Sequence, residues 1–399
     1  MTEQRPGRGV GLAALLLGVL VAGFIVYGSL YPFRFAPLPE GRALGPAILA
    51  ALLRHPGGRG DILANLVLYA PLGFALALAL QARLRPGAAM GLAALACLLL
   101  SATMEVAQLH LPRRSSSGLD LLLNGVGGAA GALAAGWIRP RGLEGLPANR
   151  LVPADAFALF LLGCWLAYRL YPYIPALDYG EWRASLAPLL RPVPLDPWRV
   201  LRLAALWLVA ARLLGAAWPR LGGTLPFAAL LACVLAAAVP IVDRRLTREE
   251  VLAAGIALAA WPLLWRLRKA DLLLLLCLLG ATLAEGLAPY RFLSEPRSFG
   301  WVPFRSVMRG HWGSGLQAML LKTCLYGGLL WLGLRVGLRG WLVVPAVVAL
   351  ALAISLARAW LPGRSADSTD VALALGAALL LFLGTRLSRG APRCEAGGR

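Results

Sequence analysis

Apolar runs of about 18 to 22 residues recur along the whole chain, and each is long enough to cross the hydrocarbon of a bilayer as a helix. Such runs leave few folds open. Without water, backbone amides and carbonyls must pair within their own segment, which selects helices. Twelve spans are predicted, at 10–30, 61–82, 88–107, 119–138, 154–175, 198–218, 222–242, 249–267, 270–288, 316–338, 341–361 and 369–387. Segment 42–56 is too short and too basic to cross and reads as an amphipathic piece in the headgroup layer. Span 198–218 is unusual in carrying Arg202 and Arg212. The fold class is therefore all-α, a polytopic integral membrane protein.

Composition supports that class. Apolar residues make up 59% of the 399, charged residues only 15%, against roughly a quarter in soluble domains. The net charge of +20 is spread over nearly every loop, with no basic cluster or aromatic-basic module, so nucleic acid is not indicated. These charges suit phospholipid headgroups. His55, His110 and His311 lack metal-ligand spacing, and no CxxC pair is present, so neither a metal nor a cofactor is expected. The first run, ending in Leu30-Tyr31-Pro32-Phe33-Arg34, has no small-residue cleavage pattern and reads as an uncleaved span. Short basic connections such as Arg83/Arg85 and Arg335/Arg339 favour both termini on the cytoplasmic side of the membrane.

The polar residues within the runs are concentrated at one place, 101–131. Helical spacing puts Glu105 one turn from Ser101 and near Gln108, and Asp120 one turn from Asn124, with Arg113 and Arg114 in the turn between. The expected topology brings the end of span one, with Arg34, and the start of span two, with Asp61, Asn65 and Tyr69 on one face, to the same surface. Glu105 and Asp120 are the candidate catalytic groups, and all of these residues are candidate ligand-binding groups. Helix caps, ion pairs and interhelical glue would give much the same set. Gly127, Gly128 and Gly131 read first as a face for close helix approach. Pro71 and Gly73 are expected to kink span two.

The turn recurs. His110-Leu111-Pro112-Arg113-Arg114-Ser115-Ser116-Ser117-Gly118-Leu119-Asp120 aligns without a gap on Trp360-Leu361-Pro362-Gly363-Arg364-Ser365-Ala366-Asp367-Ser368-Thr369-Asp370. Arg364, Asp367 and Asp370 therefore join the candidate set, although Ser355, Arg358 and Ala374 stand where the first copy has Glu105, Gln108 and Asn124. Leu170-Tyr171-Pro172-Tyr173 echoes Leu30-Tyr31-Pro32-Phe33, and Leu325-Tyr326-Gly327 echoes Leu68-Tyr69-Ala70.

Asn65-Leu66-Val67-Leu68-Tyr69-Ala70-Pro71-Leu72-Gly73-Phe74, Glu105-Val106-Ala107-Gln108, Arg113 or Arg114, and Asp120-Leu121-Leu122-Leu123-Asn124 with Gly127-Gly128 resemble the VanZ-like family of bacterial membrane proteins. The resemblance covers 10–138, with a second, degenerate match over about 289–388, and implies two VanZ-like four-helix units. The division expected is 1–150 (spans one to four), 151–288 (a middle region with spans five to eight, its terminal part belonging to span nine) and 289–399 (the degenerate copy, spans ten to twelve, and a short tail). The family's founding member is associated with teicoplanin resistance, and its polar residues fall here on Asn65, Glu105, Gln108, Arg114, Asp120 and Asn124. It brings no accepted reaction.

Three functions remain open on these residues. One is a site for membrane lipids or a lipid-linked envelope molecule, with arginines on phosphate and acids on amines or hydroxyls. Another is a lipid-head hydrolase or transferase with Glu105 as base and Asp120 orienting substrate. The third is an assembly protein whose polar groups only join helices. Cysteines introduced at Ser116 and Ser365 are expected to react with an impermeant thiol reagent in intact cells, with native Cys394 protected. The opposite labelling pattern would invert the topology.

Overall fold

The computed structural model describes residues 8–31, 33–37, 45–46, 59–111, 117–138, 154–176, 178–191, 194–309 and 312–389. Among them the fold is all-α. The helices are α1 (Arg8–Leu30), α2 (Arg59–Leu80), α3 (Pro86–Gln108), α4 (Gly118–Ile138), α5 (Ala156–Leu170), α6 (Tyr179–Leu190) and α7 (Pro197–Ala217). They continue with α8 (Thr224–Ala238), α9 (Arg248–Leu264), α10 (Ala270–Leu287), α11 (Arg305–Arg309), α12 (Trp312–Arg335), α13 (Gly340–Ala357) and α14 (Thr369–Arg389). Leaving aside the short α6 and α11, each helix falls on one of the apolar segments read from the sequence. Five (α3, α4, α7, α10 and α13) are long and apolar enough to cross a membrane by length and composition, and α1, α2, α5, α8 and α14 contain shorter apolar stretches. The chain is a multi-pass helical membrane protein. The expected amphipathic segment at 42–56 lies outside the described residues, apart from 45–46.

The arrangement of side chains explains why these helices assemble in lipid. Along α3 the buried stripe is Ala89, Ala93, Cys97, Ser101 and Met104, whereas Leu92, Leu95, Leu98 and Leu99 are exposed. In α9 Glu250, Ala253, Ala254, Ala257 and Trp261 are buried, with Val251, Leu252 and Ile256 outside. Small residues turn inward and large apolar ones outward, as expected where lipid tails are as apolar as leucine and association depends on close packing.

The chain divides into two compact units, 1–149 with 382–399, and 150–381. In the first, α2 packs against α1, α3 and α4, and α3 also packs on α4. Gly127 and Gly131 of α4 face the carbonyls of Leu66 and Ala70, and Gly73 of α2 faces the carbonyl of Gly128. A Cβ at any of these three would overlap backbone, which does not yield. This is the close approach read from the GxxxG pair. Gly73, expected with Pro71 to kink span two, is a contact point, and α2 continues as helix past Pro71.

In the second unit α7 is the helix most enclosed by others, packing on α5, α9 and α10. Two of its arginines, Arg202 and Arg212, are paired across to α10, which removes the oddity of charges within the span. Arg212 holds Asp271 through Nε–Oδ1 at 2.5 Å and Nη2–Oδ2 at 3.0 Å, and Arg202 holds Glu285. Trp165, Trp207, Phe227 and Trp261 form a chain of ring contacts through α5, α7, α8 and α9, with centroids 4.7, 6.4 and 5.7 Å apart.

One backbone device occurs three times. Phe33, Tyr173 and Tyr290 follow the ends of α1, α5 and α10 with φ of 59°, 64° and 60°, a conformation that bulky residues seldom adopt. Each donates its amide to the last residue of the helix before it, Leu30, Leu170 or Leu287. Three residues on, Ala36, Ala176 and Leu293 donate to the carbonyls of His110, Pro240 and Trp360, at 2.8, 2.6 and 2.7 Å. These hydrogen bonds hold the turn in place on both sides.

Gly131→Ala should lower stability by about 1–3 kcal/mol because backbone must move. Gly91→Ala, where nothing lies within 4 Å, should stay within about 0.5 kcal/mol of wild type. Unfolding in detergent by denaturant reads both, and equal effects would remove the packing account.

Candidate functional site

The ends of α1, α2, α3 and α4 meet through side-chain contacts at one end of the first unit. Asn65 Nδ2 donates to Asp120 Oδ1 at 2.6 Å, joining α2 to the first turn of α4. Glu105 Oε2 accepts the Ser117 amide at 2.8 Å, so the carboxylate closes the turn before α4. Ser117 Oγ in turn accepts the Leu119 amide at 3.2 Å. Gln108 Nε2 donates to the Ser29 carbonyl at 3.2 Å, tying α3 to α1. One turn deeper, Asn124 Nδ2 donates to Ser101 Oγ at 2.9 Å.

In this cluster Asn124 Oδ1 is buried without a hydrogen-bond partner among the described residues, and the buried Tyr69 hydroxyl has only a loose side-chain contact with Ser101. Tyr69 lies beside Ser101, Glu105 and Cys97 and is 2% exposed. An orphaned polar atom in a low-dielectric interior costs about 1–3 kcal/mol. The Tyr69 ring packs with Ile25, Leu72 and Cys97 in one apolar cluster.

The other sequence candidates fall as follows. Arg34 is exposed in the extended segment after α1 and makes no ion pair among the described residues. Asp61 lies in the first turn of α2, with its side chain outside the described set, and Arg113 and Arg114 lie outside it altogether. Any pairing of Glu105 with these arginines therefore falls outside the described residues, and a described partner of Glu105 is the backbone amide of Ser117.

In the second unit Asp370 is fully buried and accepts from Lys322 Nζ at 2.6 Å, Tyr326 Oη at 2.7 Å and Arg358 Nη1 at 2.8 Å. Arg358 Nε donates to the Gly286 carbonyl at 3.2 Å, as Gln108 does to Ser29. Lys322 approaches Asp370 from α12 much as Asn65 approaches Asp120 from α2. Asp367 accepts from Ser306 Oγ at 2.5 Å and from the Thr369 amide at 3.1 Å, which makes it a cap for α14. Arg364 donates to the Ala288 carbonyl at 3.0 Å and to Glu285 at 3.3 Å. These three candidates are engaged by the protein itself.

Sequence reasoning missed Glu250, in the first turn of α9 and 4% exposed. Its Oε1 takes Arg169 Nη1 at 2.9 Å and Arg244 Nη2 at 2.7 Å. Glu250 also completes a capping box with Thr247, and the Thr-x-x-Glu spacing was the signal available. Among the described residues no group of His, Cys, Asp and Glu is arranged to hold a metal.

Residues 14–139 match the family model described as VanZ/LLP1, so this region is similar to that family over α1 to α4. No curated protein and no solved structure matches the chain.

Asp370→Asn leaves Lys322 and Arg358 without their carboxylate and should cost about 3–5 kcal/mol of stability. Asn65→Ala removes one hydrogen bond from Asp120 and should cost about 1–3 kcal/mol. Detergent unfolding curves measure both, and a smaller effect at Asp370 would mean that its cations are satisfied elsewhere.

Proposed function

We propose that the first four helices form a membrane-embedded binding module for a lipid-linked or cell-envelope molecule. The polar cluster of Asn65, Tyr69, Ser101, Glu105, Gln108, Asp120 and Asn124 is its site. The supporting observation is that Asn124 Oδ1 is buried without a partner among the described residues and Tyr69 Oη has only a loose contact with Ser101, inside a cluster whose other described contacts are made. They are an acceptor and a hydroxyl set in an apolar wall, suited to a ligand with hydroxyl or amide groups. Arg113 and Arg114 supply cations for a phosphate. Arg244, which folds from the turn before α9 onto Glu250, is a precedent for an arginine so placed.

A second reading, helix assembly without a ligand, is favoured by the Asn65–Asp120 bond and the glycine contacts between α2 and α4. The two differ in what the purified protein carries.

We read all twelve long helices as spans with both termini cytoplasmic. The thrice-repeated turn supports three four-helix modules, at 8–138, 156–264 and 270–389, rather than two flanking a separate middle region. An even number of spans per module keeps every module in the same direction, as in parallel-repeat transporters. An acid stands in the first turn of each fourth helix: Asp120, Glu250 and Asp370.

The test is the lipid inventory of the full-length protein purified from its native membrane, with and without Glu105→Gln. One phosphorylated or saccharide-linked lipid should be enriched in the wild type and reduced about tenfold in the variant, equivalent to about 1.4 kcal/mol. Identical inventories at equal yield would favour the assembly reading.

A further inference from the structure

The second unit contains a cationic cluster that the reading above does not use. Arg169 and Arg244 share the single oxygen Oε1 of Glu250, while Arg202 and Arg364 share Glu285. The two groups lie near each other, since the Arg169 guanidinium carbon is 5.4 Å from the ring of Trp207, which stands on the same helix as Arg202. Four guanidinium groups thus face two carboxylates.

Their donors are not used up. Arg169 is only 3% exposed, yet its Nε and Nη2 have no hydrogen-bond partner among the described residues, and neither does Arg244 Nε. The Trp207 ring, 5.4 Å from the Arg169 guanidinium carbon, receives one face of the cation and leaves these edge donors unmatched. A buried charge is tolerated when it is both paired and hydrogen-bonded, and here neither requirement is met in full. A planar guanidinium fork with free edge donors matches the oxygens of a phosphate. Arg202 and Arg364 keep 24% and 34% of their side chains exposed, so the cluster opens outward.

We propose that Arg169, Arg202, Arg244 and Arg364 form a site for a phosphate-bearing anion, with Arg169 as the buried anchor. The ligand's oxygens take the unmatched donors and offset the surplus positive charge, while Glu250 and Glu285 fix the forks around it. The phosphate comes either from a lipid headgroup or from a free anion. The chemistry is common to both.

The experiment uses the full-length protein in a neutral detergent, with two arms. In the first, sodium phosphate is titrated against sodium chloride at matched ionic strength while thermal unfolding is followed. In the second, the protein is incubated with mixed micelles of phosphatidic acid and phosphatidylcholine, and retained lipid is counted by native mass spectrometry. Phosphate-specific stabilisation identifies a free anion, and selective retention of phosphatidic acid identifies a lipid. Either result should weaken about tenfold in Arg244→Gln and in Arg202→Gln. If neither variant folds, Arg244→Lys, which keeps the charge and removes the fork, should still weaken binding. Stabilisation equal to that by chloride, together with no preference for phosphatidic acid over phosphatidylcholine in the wild type, overturns the proposal. So does binding that is unchanged in all three variants. The losses caused by Arg244→Gln and Arg202→Gln should persist in full in a Glu105→Gln background, which separates this site from the one proposed above.

Discussion

A carboxylate placed at the start of a helix in a low-dielectric surrounding must be matched by its neighbours, and much of this structure follows from how that is done. Asp120 receives a neutral amide from Asn65. Glu250 receives two guanidinium groups. Asp370 receives an ammonium, a guanidinium and a phenol, and is closed from solvent. Each partner comes from a different segment, so satisfying the acid also fixes how helix ends meet. The first arrangement leaves one acceptor idle and one hydroxyl loosely held nearby, and the last leaves the acid itself fully engaged. That contrast is the physical reason for proposing a ligand at the first unit and a closed, structural role for the Asp370 cluster.

The rest of the packing is nonpolar and depends on removing bulk. Gly73, Gly127 and Gly131 allow α2 and α4 to approach until backbone meets backbone, while leucines of α3 and α4 face outward. Where lipid supplies no hydrophobic drive between helices, this contact is the main source of association. It also keeps Asn65 opposite Asp120.

Helix positions were legible because an apolar run long enough to cross a bilayer admits little besides a helix, and the twelve segments read from sequence coincide with α1–α5, α7–α10 and α12–α14. The meeting of Asn65, Glu105, Gln108, Asp120 and Asn124 was legible from helical spacing and short turns. The partners of Arg202 and Arg212 were not, since Glu285 and Asp271 are distant in sequence and pair only after α7 and α10 pack. Glu250 was partly hidden for a similar reason: Arg169, one of its two cations, lies on α5. The threefold turn was only half visible. The Leu-x-Pro-aromatic pattern showed in the letters, but its identity rests on a positive φ and a backbone hydrogen bond to a remote carbonyl, and these leave no residue signature.

The most direct measurement is an electron cryomicroscopy map of the full-length protein in nanodiscs formed from its native lipids. The account predicts density for a bound molecule within hydrogen-bond distance of Asn124 Oδ1 or the Tyr69 hydroxyl, with Asp370 still enclosed by Lys322, Tyr326 and Arg358. A map in which Asn124 and Tyr69 are satisfied by neighbouring helices, with no density beside Glu105, would contradict it.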